Sequence, residues 1–132
     1  MHTRRKPTYR ELDRKLLAAL AAFDAGRYAP VDSELGRHAV PDMEQLRITE
    51  LPEYWDLVYE CILLAREDPV ASFRPPNPPK STKHKSISDL PLWAFSIYHE
   101  EREKELYFKF CLREHKDGTH YVHIDCHESQ PK

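Results

Sequence analysis

The sequence has little of what several protein classes require. It contains only three glycines and three cysteines, and its 20 Lys and Arg are nearly matched by 22 Asp and Glu. The odd number and wide spacing of Cys61, Cys111 and Cys126 fit neither a disulfide framework nor a zinc knuckle, so we expect reduced thiols. The charge balance excludes a histone-like polycation, so any nucleic-acid site must be a local patch.

Two further absences concern membranes and export. No apolar run approaches the roughly 18 residues of a membrane span, so we expect no membrane partner. The stretch MHTRRKPTYRELDRK lacks the apolar core of a signal peptide, so we expect a cytoplasmic protein. The length of 132 residues fits a single domain, 1–132, which can bury a core without metal or disulfide support. The sequence leaves the oligomeric state open.

Residues 7–67 have the pattern of helices. Thr8 and Glu11 form a capping-box pattern, and Leu12, Leu16, Leu20 and Phe23 follow at the spacing of one helix face. Gly26 is a natural end for this first helix.

The middle of this helical region is less regular. We expect irregular chain over 27–41 and a short turn capped by Asp42. A second helix should begin at the cap Thr49 and end at Asp68-Pro69.

Residues 69–91 form a Pro-rich basic loop within the domain. The segment FRPPNPPKSTKHKS has four prolines and no acidic residue. Such a long loop in a small domain is usually functional or disordered, and its cations could hold RNA phosphates. The candidate phosphate-binding residues here are Arg74, Lys80, Lys83 and Lys85.

Residues 92–128 alternate between apolar and polar side chains, which predicts strands over 92–98, 106–113 and 119–127. Asp117-Gly118 is a hairpin signal between the last two. We therefore predict an α+β fold, with N-terminal helices packed on one face of a small C-terminal antiparallel sheet of three or more strands. One side of the last two strands would be polar and rich in Tyr, Lys, Arg and His.

These residue types suit RNA cleavage without a metal. Histidine can move protons near neutral pH, cations can stabilise the charged phosphate, and tyrosine can stack on a base. The candidate catalytic residues are Tyr107, Lys109, Arg113, His123 and His127. Tyr98 and Tyr121 are candidate RNA-binding residues beside the basic loop. We expect neither a cofactor nor a resident metal ion.

Two other functions remain open on the same residues. His123 and Asp125, or Asp125 and His127, are two residues apart on one strand, so either pair could chelate an ion with His99 or His115 as third ligand. This would make the protein a metal-dependent nuclease. Alternatively, exposed Trp55 and Tyr59 and the Pro-rich loop could form the interface of a non-catalytic protein-binding or regulatory module.

The order of parts resembles the MqsR group of toxin ribonucleases, within the RelE-like fold of toxin–antitoxin systems. The matching pieces cover residues 7–18 and 49–128; they include PTYRELDRKLLAAL, DLVYECILLARED, LYFKF and YVHIDCHES. Trp93 and Tyr98 stand where this family has a Trp and a Tyr.

The resemblance implies a RelE-like fold and a metal-independent endoribonuclease, or mRNA interferase, of a type II toxin–antitoxin system. Its partners would be RNA and a cognate antitoxin protein, in the cytoplasm. Tyr107 matches the tyrosine of the family's catalytic strand. His127 stands where the family has a lysine, Ala94 stands in place of a glutamine, and Arg74 is the nearest counterpart of a second lysine.

Overall fold

The computed structural model describes residues 7–29, 39–74 and 92–128, in which helices precede the main sheet. The predicted α+β fold is confirmed. The helices are α1 Tyr9–Asp24, α2 Ala39–Leu46, α3 Leu51–Glu67 and α4 Pro69–Ser72. The strands are β1 Tyr28–Ala29, β2 Phe73–Arg74, β3 Trp93–His99, β4 Lys104–Glu114 and β5 His120–Glu128.

Local sequence signals place the ends of α1. The Thr8 hydroxyl accepts from the Glu11 amide at 3.1 Å, and the Glu11 carboxylate accepts from the Thr8 amide at 3.2 Å, so the predicted capping box is confirmed. Gly26 follows the helix with φ +74°, a left-handed conformation that glycine adopts without a steric penalty.

The starts of the next two helices differ from the prediction. Asp42 lies inside α2 and not at the position before its first residue. The N-cap of α3 is Glu50, whose backbone is extended, and not Thr49; no side chain caps this helix end. Pro52 is in the first turn, where a missing amide costs no helical hydrogen bond.

The sheet has the order β1-β5-β4-β3-β2. Its three long strands are antiparallel, as predicted, whereas β1 is parallel to β5 and β2 is antiparallel to the first half of β3. The prediction of irregular chain over 27–41 is wrong where β1 and the start of α2 form, and the prediction of a loop over 69–91 is wrong where α4 and β2 form. The two strands were missed because a two-residue strand shows no periodicity. Residues 75–91, which include Lys80, Lys83 and Lys85, lie outside the described residues.

The helices bury one face of the sheet. Apolar residues from α1 and α3 form a single core cluster with alternate residues of the strands, among them Phe95, Phe108, Phe110, Ile124 and Cys126. This arrangement matches the predicted apolar faces of β3, β4 and β5.

The aromatic residues of α3 belong to the core side. Trp55 and Tyr59 are partly buried against the cluster, so the prediction that they are exposed is wrong. Trp55 contacts the rings of Phe23 and Tyr28, and the Tyr59 hydroxyl donates to Asp24 at 3.1 Å. Part of the surface of these two residues is therefore used by the core, and the binding-module alternative stays a prediction.

Candidate nucleic-acid interface

The side of the sheet opposite the core carries most of the predicted site residues. Because β4 and β5 pair in register without a bulge, their alternate residues share one surface, which we call the polar face. The directly opposite pairs are Tyr107 and His127, Lys109 and Asp125, Cys111 and His123, and Arg113 and Tyr121. All five candidate catalytic residues thus lie on one face, as their alternation predicts.

Burial divides the polar face into two accessible ends and a covered centre. His123 and Asp125 are only 8% and 4% exposed, and Cys111 is fully buried. Tyr107, Lys109 and His127 are partly exposed at one end, and Arg113 and Tyr121 are partly exposed at the other. His123 and His127 are four residues apart on one strand, roughly 13 Å, so they do not flank one phosphate.

At the first end, the backbone fixes the ring of His127. Its Nδ1 lies 2.8 Å from the carbonyl oxygen of Glu128. A carbonyl oxygen only accepts, so Nδ1 carries the proton in the neutral ring and Nε2 has the lone pair. Glu128 is held in turn, because its amide donates to Gln45 at 3.0 Å and its carboxylate binds Lys104 at 2.6 Å.

Tyr107 lies directly beside this histidine. The two ring centroids are 5.2 Å apart. Burial raises the pKa of the Tyr107 phenol, because the charged phenolate would lose hydration. The hydroxyl therefore stays protonated at neutral pH and can act as a hydrogen-bond or proton donor.

At the second end, Tyr121 is held against β1. Its hydroxyl donates to the Tyr28 carbonyl at 3.4 Å, and its ring centroid is 5.2 Å from that of His123. Arg113 is its direct cross-strand neighbour. This end offers a cation and an aromatic ring. The accessible histidine, His127, and Lys109 belong to the first end.

The two other described RNA-binding candidates lie on the same side of the sheet, nearer its β2 edge. Tyr98 is opposite Glu105, and Arg74 is opposite Ala94, whose own partner is Lys109. Arg74 donates to the carbonyls of Ala71 and Phe73, and its guanidinium is 3.7 Å from Glu105. It lies in an acidic environment that does not favour RNA. Tyr98 is 58% exposed at the end of β3.

The predicted third metal ligand, His99, is on the wrong face of the sheet. Its Nε2 is 2.9 Å from Glu60 on α3, so it cannot join His123 and Asp125. The described residues contain another group, Glu60, His99 and Glu101, whose ligand atoms lie within 4.8 Å of one another. However, Nδ1 of His99 accepts from the Arg102 amide at 3.3 Å, so in the neutral ring Nε2 carries the proton and has no lone pair for a metal.

A cleft of about 740 Å³ lies beside this histidine, between α3, α4 and the outer part of β3. We call it the acidic cleft. Its carboxylates are Glu60, Glu67, Asp68, Glu100, Glu101 and Glu105. Sequence reasoning missed it, although the acidic run from Glu100 to Glu105 is a visible signal.

Comparisons of the chain with family models, curated proteins and solved structures gave no match. The resemblance to toxin ribonucleases therefore stays a prediction. None of the described helices combines the length and the apolar character that crossing a membrane would take.

Proposed function

We propose that the protein is a metal-independent endoribonuclease that cleaves RNA at the end of the polar face formed by Tyr107, Lys109 and His127. The observation that carries the proposal is the Nδ1 contact of His127 with the Glu128 carbonyl at 2.8 Å. It orients the ring and leaves the Nε2 lone pair for a general base.

The chemistry follows from these three side chains. Nε2 of His127 removes the proton from the ribose 2′-hydroxyl, and the 2′-oxygen forms a bond to phosphorus. The bond from phosphorus to the 5′-oxygen breaks, and the Tyr107 hydroxyl donates the proton that the leaving oxygen needs. The products are a 2′,3′-cyclic phosphate and a 5′-hydroxyl. The Lys109 ammonium stabilises the charge that builds up on the phosphate.

The second end of the polar face would hold the strand away from the cleaved bond. Lys109 and Arg113 are four residues apart on β4, roughly 13 Å, so they bind different phosphates. Tyr121 offers a ring on which a base can stack. His123 and Asp125 are too buried to touch RNA and would support the strand geometry instead.

The biological setting in the proposal comes from the resemblance alone. A toxin of a type II system would act on mRNA in the cytoplasm and would be neutralised by a cognate antitoxin protein. The nuclease proposal itself rests on the polar face and needs no such partner.

The test is incubation of the purified protein with a long mRNA in EDTA. We expect cleavage, with cyclic phosphate ends, that falls about 100-fold or more in His127→Gln and strongly in Tyr107→Phe and Lys109→Gln. His115→Gln is the matched control, since His115 is exposed in the turn after β4, away from the proposed site.

Three results would contradict the proposal. Intact RNA with no loss of translation on induction would favour a binding module. Cleavage that EDTA abolishes and a divalent ion restores would favour the metal-dependent nuclease. An equal loss in His115→Gln would show that the site is assigned to the wrong residues.

A further inference from the structure

The outer edge of β3 is only partly covered in the described residues. β2 pairs only with Ala94 and Phe95, and it begins opposite Phe95. Along Ser96–His99, no strand in the ranges 7–29, 39–74 and 92–128 lies beside β3 on this side. A strand edge of this kind can template pairing with another chain.

The register shows which backbone groups face outward. On β5, the amides of Val122, Cys126 and Glu128 point away from β4, because they donate to Arg27, Tyr54 and Gln45. In an antiparallel pair, two directly opposite residues turn their backbone NH and CO groups either toward each other or away from each other, and the two arrangements alternate along the strands. Cys126 is opposite Phe108, so the backbone groups of Phe108 turn toward β3 and those of its partner Phe95 turn toward β4. The backbone groups of Ser96 and Tyr98 therefore point away from β4, at the outer edge of β3.

The acidic cleft runs along this same edge. Its wall includes four successive residues of β3, Ser96–His99. Successive side chains of a strand point to opposite faces, so all four can line one cleft only if the cleft follows the backbone edge.

The cleft also has a consistent chemistry. Six carboxylates line it against the single guanidinium of Arg74. Leu63 and Tyr98, which are 43% and 58% exposed, add apolar surface at the wall. A ligand that fits the cleft therefore has backbone groups that can pair with the strand edge, positive side chains that meet the carboxylates, and apolar side chains that contact Leu63 and Tyr98.

We propose that the outer edge of β3 at Ser96 and Tyr98 binds an extended, Lys- and Arg-rich segment of a partner protein as an added strand. Main-chain hydrogen bonds provide the attachment and the carboxylates select positive charge. RNA is excluded by its own charge. The proposal does not depend on RNA cleavage, since the polar-face end at His127 plays no part in it.

The probe is a short fluorescein-labelled peptide of alternating Lys and Val, titrated with the full chain and followed by fluorescence anisotropy. We expect saturable binding that weakens with added salt. The same peptide with Glu in place of Lys should not bind. The Lys peptide N-methylated on every backbone amide keeps its charge but loses strand pairing, and it should bind about tenfold more weakly or worse.

Two pairs of variants locate the site. Glu67→Lys with Glu101→Lys should weaken binding about tenfold, whereas Glu44→Lys with Glu114→Lys changes the net charge equally outside the cleft and should have little effect. Tyr98→Pro removes an outward amide and should bind more weakly than Tyr98→Ala, which keeps it.

Amide hydrogen exchange is the deciding measurement. Ser96 and Tyr98 should exchange readily in the free protein and slow when the Lys–Val peptide binds. Slow exchange in the free protein would mean that the edge is already paired, and it would overturn the proposal. Equal binding of the N-methylated peptide, or no binding of the unmethylated Lys–Val peptide, would also overturn it.

Discussion

The two edges of the sheet are finished in opposite ways. On the β5 side, outward backbone groups have hydrogen-bond partners. The Arg27 carbonyl accepts from the Val122 amide, the Tyr54 hydroxyl binds both backbone groups of Cys126, and the Gln45 side chain accepts from the Glu128 amide. On the β3 side, the outer backbone of Ser96–His99 lies along the acidic cleft. The β5 edge is thus closed by β1 and by the side chains of two helices, whereas the β3 edge lies beside an open cleft.

The difference shows that an edge need not be covered by a strand to be protected. A buried hydroxyl that donates to one group and accepts from another satisfies two backbone atoms at once. At the β3 edge, no such side chain is found among the described residues. The carboxylates of the acidic cleft would instead disfavour pairing of this edge with the same edge of a second copy of the protein, because like charges repel.

The largest expected effect tests the orientation of β3. Ile97→Pro should destabilise the protein by about 3 kcal/mol or more, because it removes a bond to β4 and buried apolar volume. Tyr98→Pro should cost no more than about 1 kcal/mol beyond Tyr98→Ala, because its amide faces outward. Urea unfolding measures both, and similar losses at the two positions would show that the assigned orientation of β3 is wrong.

The closed edge is tested next, at Tyr54. Tyr54→Phe removes the hydroxyl that serves the Cys126 amide at 3.0 Å and its carbonyl at 3.3 Å. We expect a loss of about 1–3 kcal/mol in the free energy of unfolding, since both backbone groups remain buried. Tyr9→Phe is the control, because Tyr9 is 58% exposed. If the two variants are equally stable, the hydroxyl does not stabilise the edge.

The smallest effect concerns the turn at the start of β5. The pKa of Asp117 is lowered, first because the Thr119 hydroxyl donates to its carboxylate and also because the Thr119 amide does so. A lowered folded pKa stabilises the protein above the unfolded pKa near 4, and this contribution is lost as pH falls through the folded value. Asp117→Asn should therefore lower the Tm at neutral pH, by less than Tyr54→Phe does.

Thermal melts across the acid range check this sign. The gap between the native chain and Asp117→Asn should shrink as pH falls below about 4. A gap that does not change with pH would mean that the charge of Asp117 does not contribute. Thr119→Ser, which keeps a hydroxyl, should retain the pH dependence.

Local patterns were enough for the parts of the fold made by neighbours in the chain. The Thr8 capping box, the apolar stripe of α1 and the alternation of β4 and β5 were all predicted, because each depends on residues a few positions apart. The grouping of Tyr107, Lys109 and His127 on one face followed from the same alternation.

Other features depended on residues far apart in the sequence. The burial of His123 and Asp125 could not be predicted from the polar character of their strand. The pairing of His99 with Glu60 joins residues 39 positions apart and removes His99 from the predicted metal set. The strands β1 and β2 have two residues each and exist only because a longer strand lies beside them.

The amino-acid sequence by itself determined the order of the two long helices and the three long strands, and which side chains share a strand face, because helical and extended backbones repeat at fixed short periods. Only the tertiary structure decided which of those side chains stay accessible and which sheet edge is closed. Both outcomes depend on contacts such as that between Tyr54 and Cys126, 72 residues apart. Packing brings such residues together, and no local pattern encodes it.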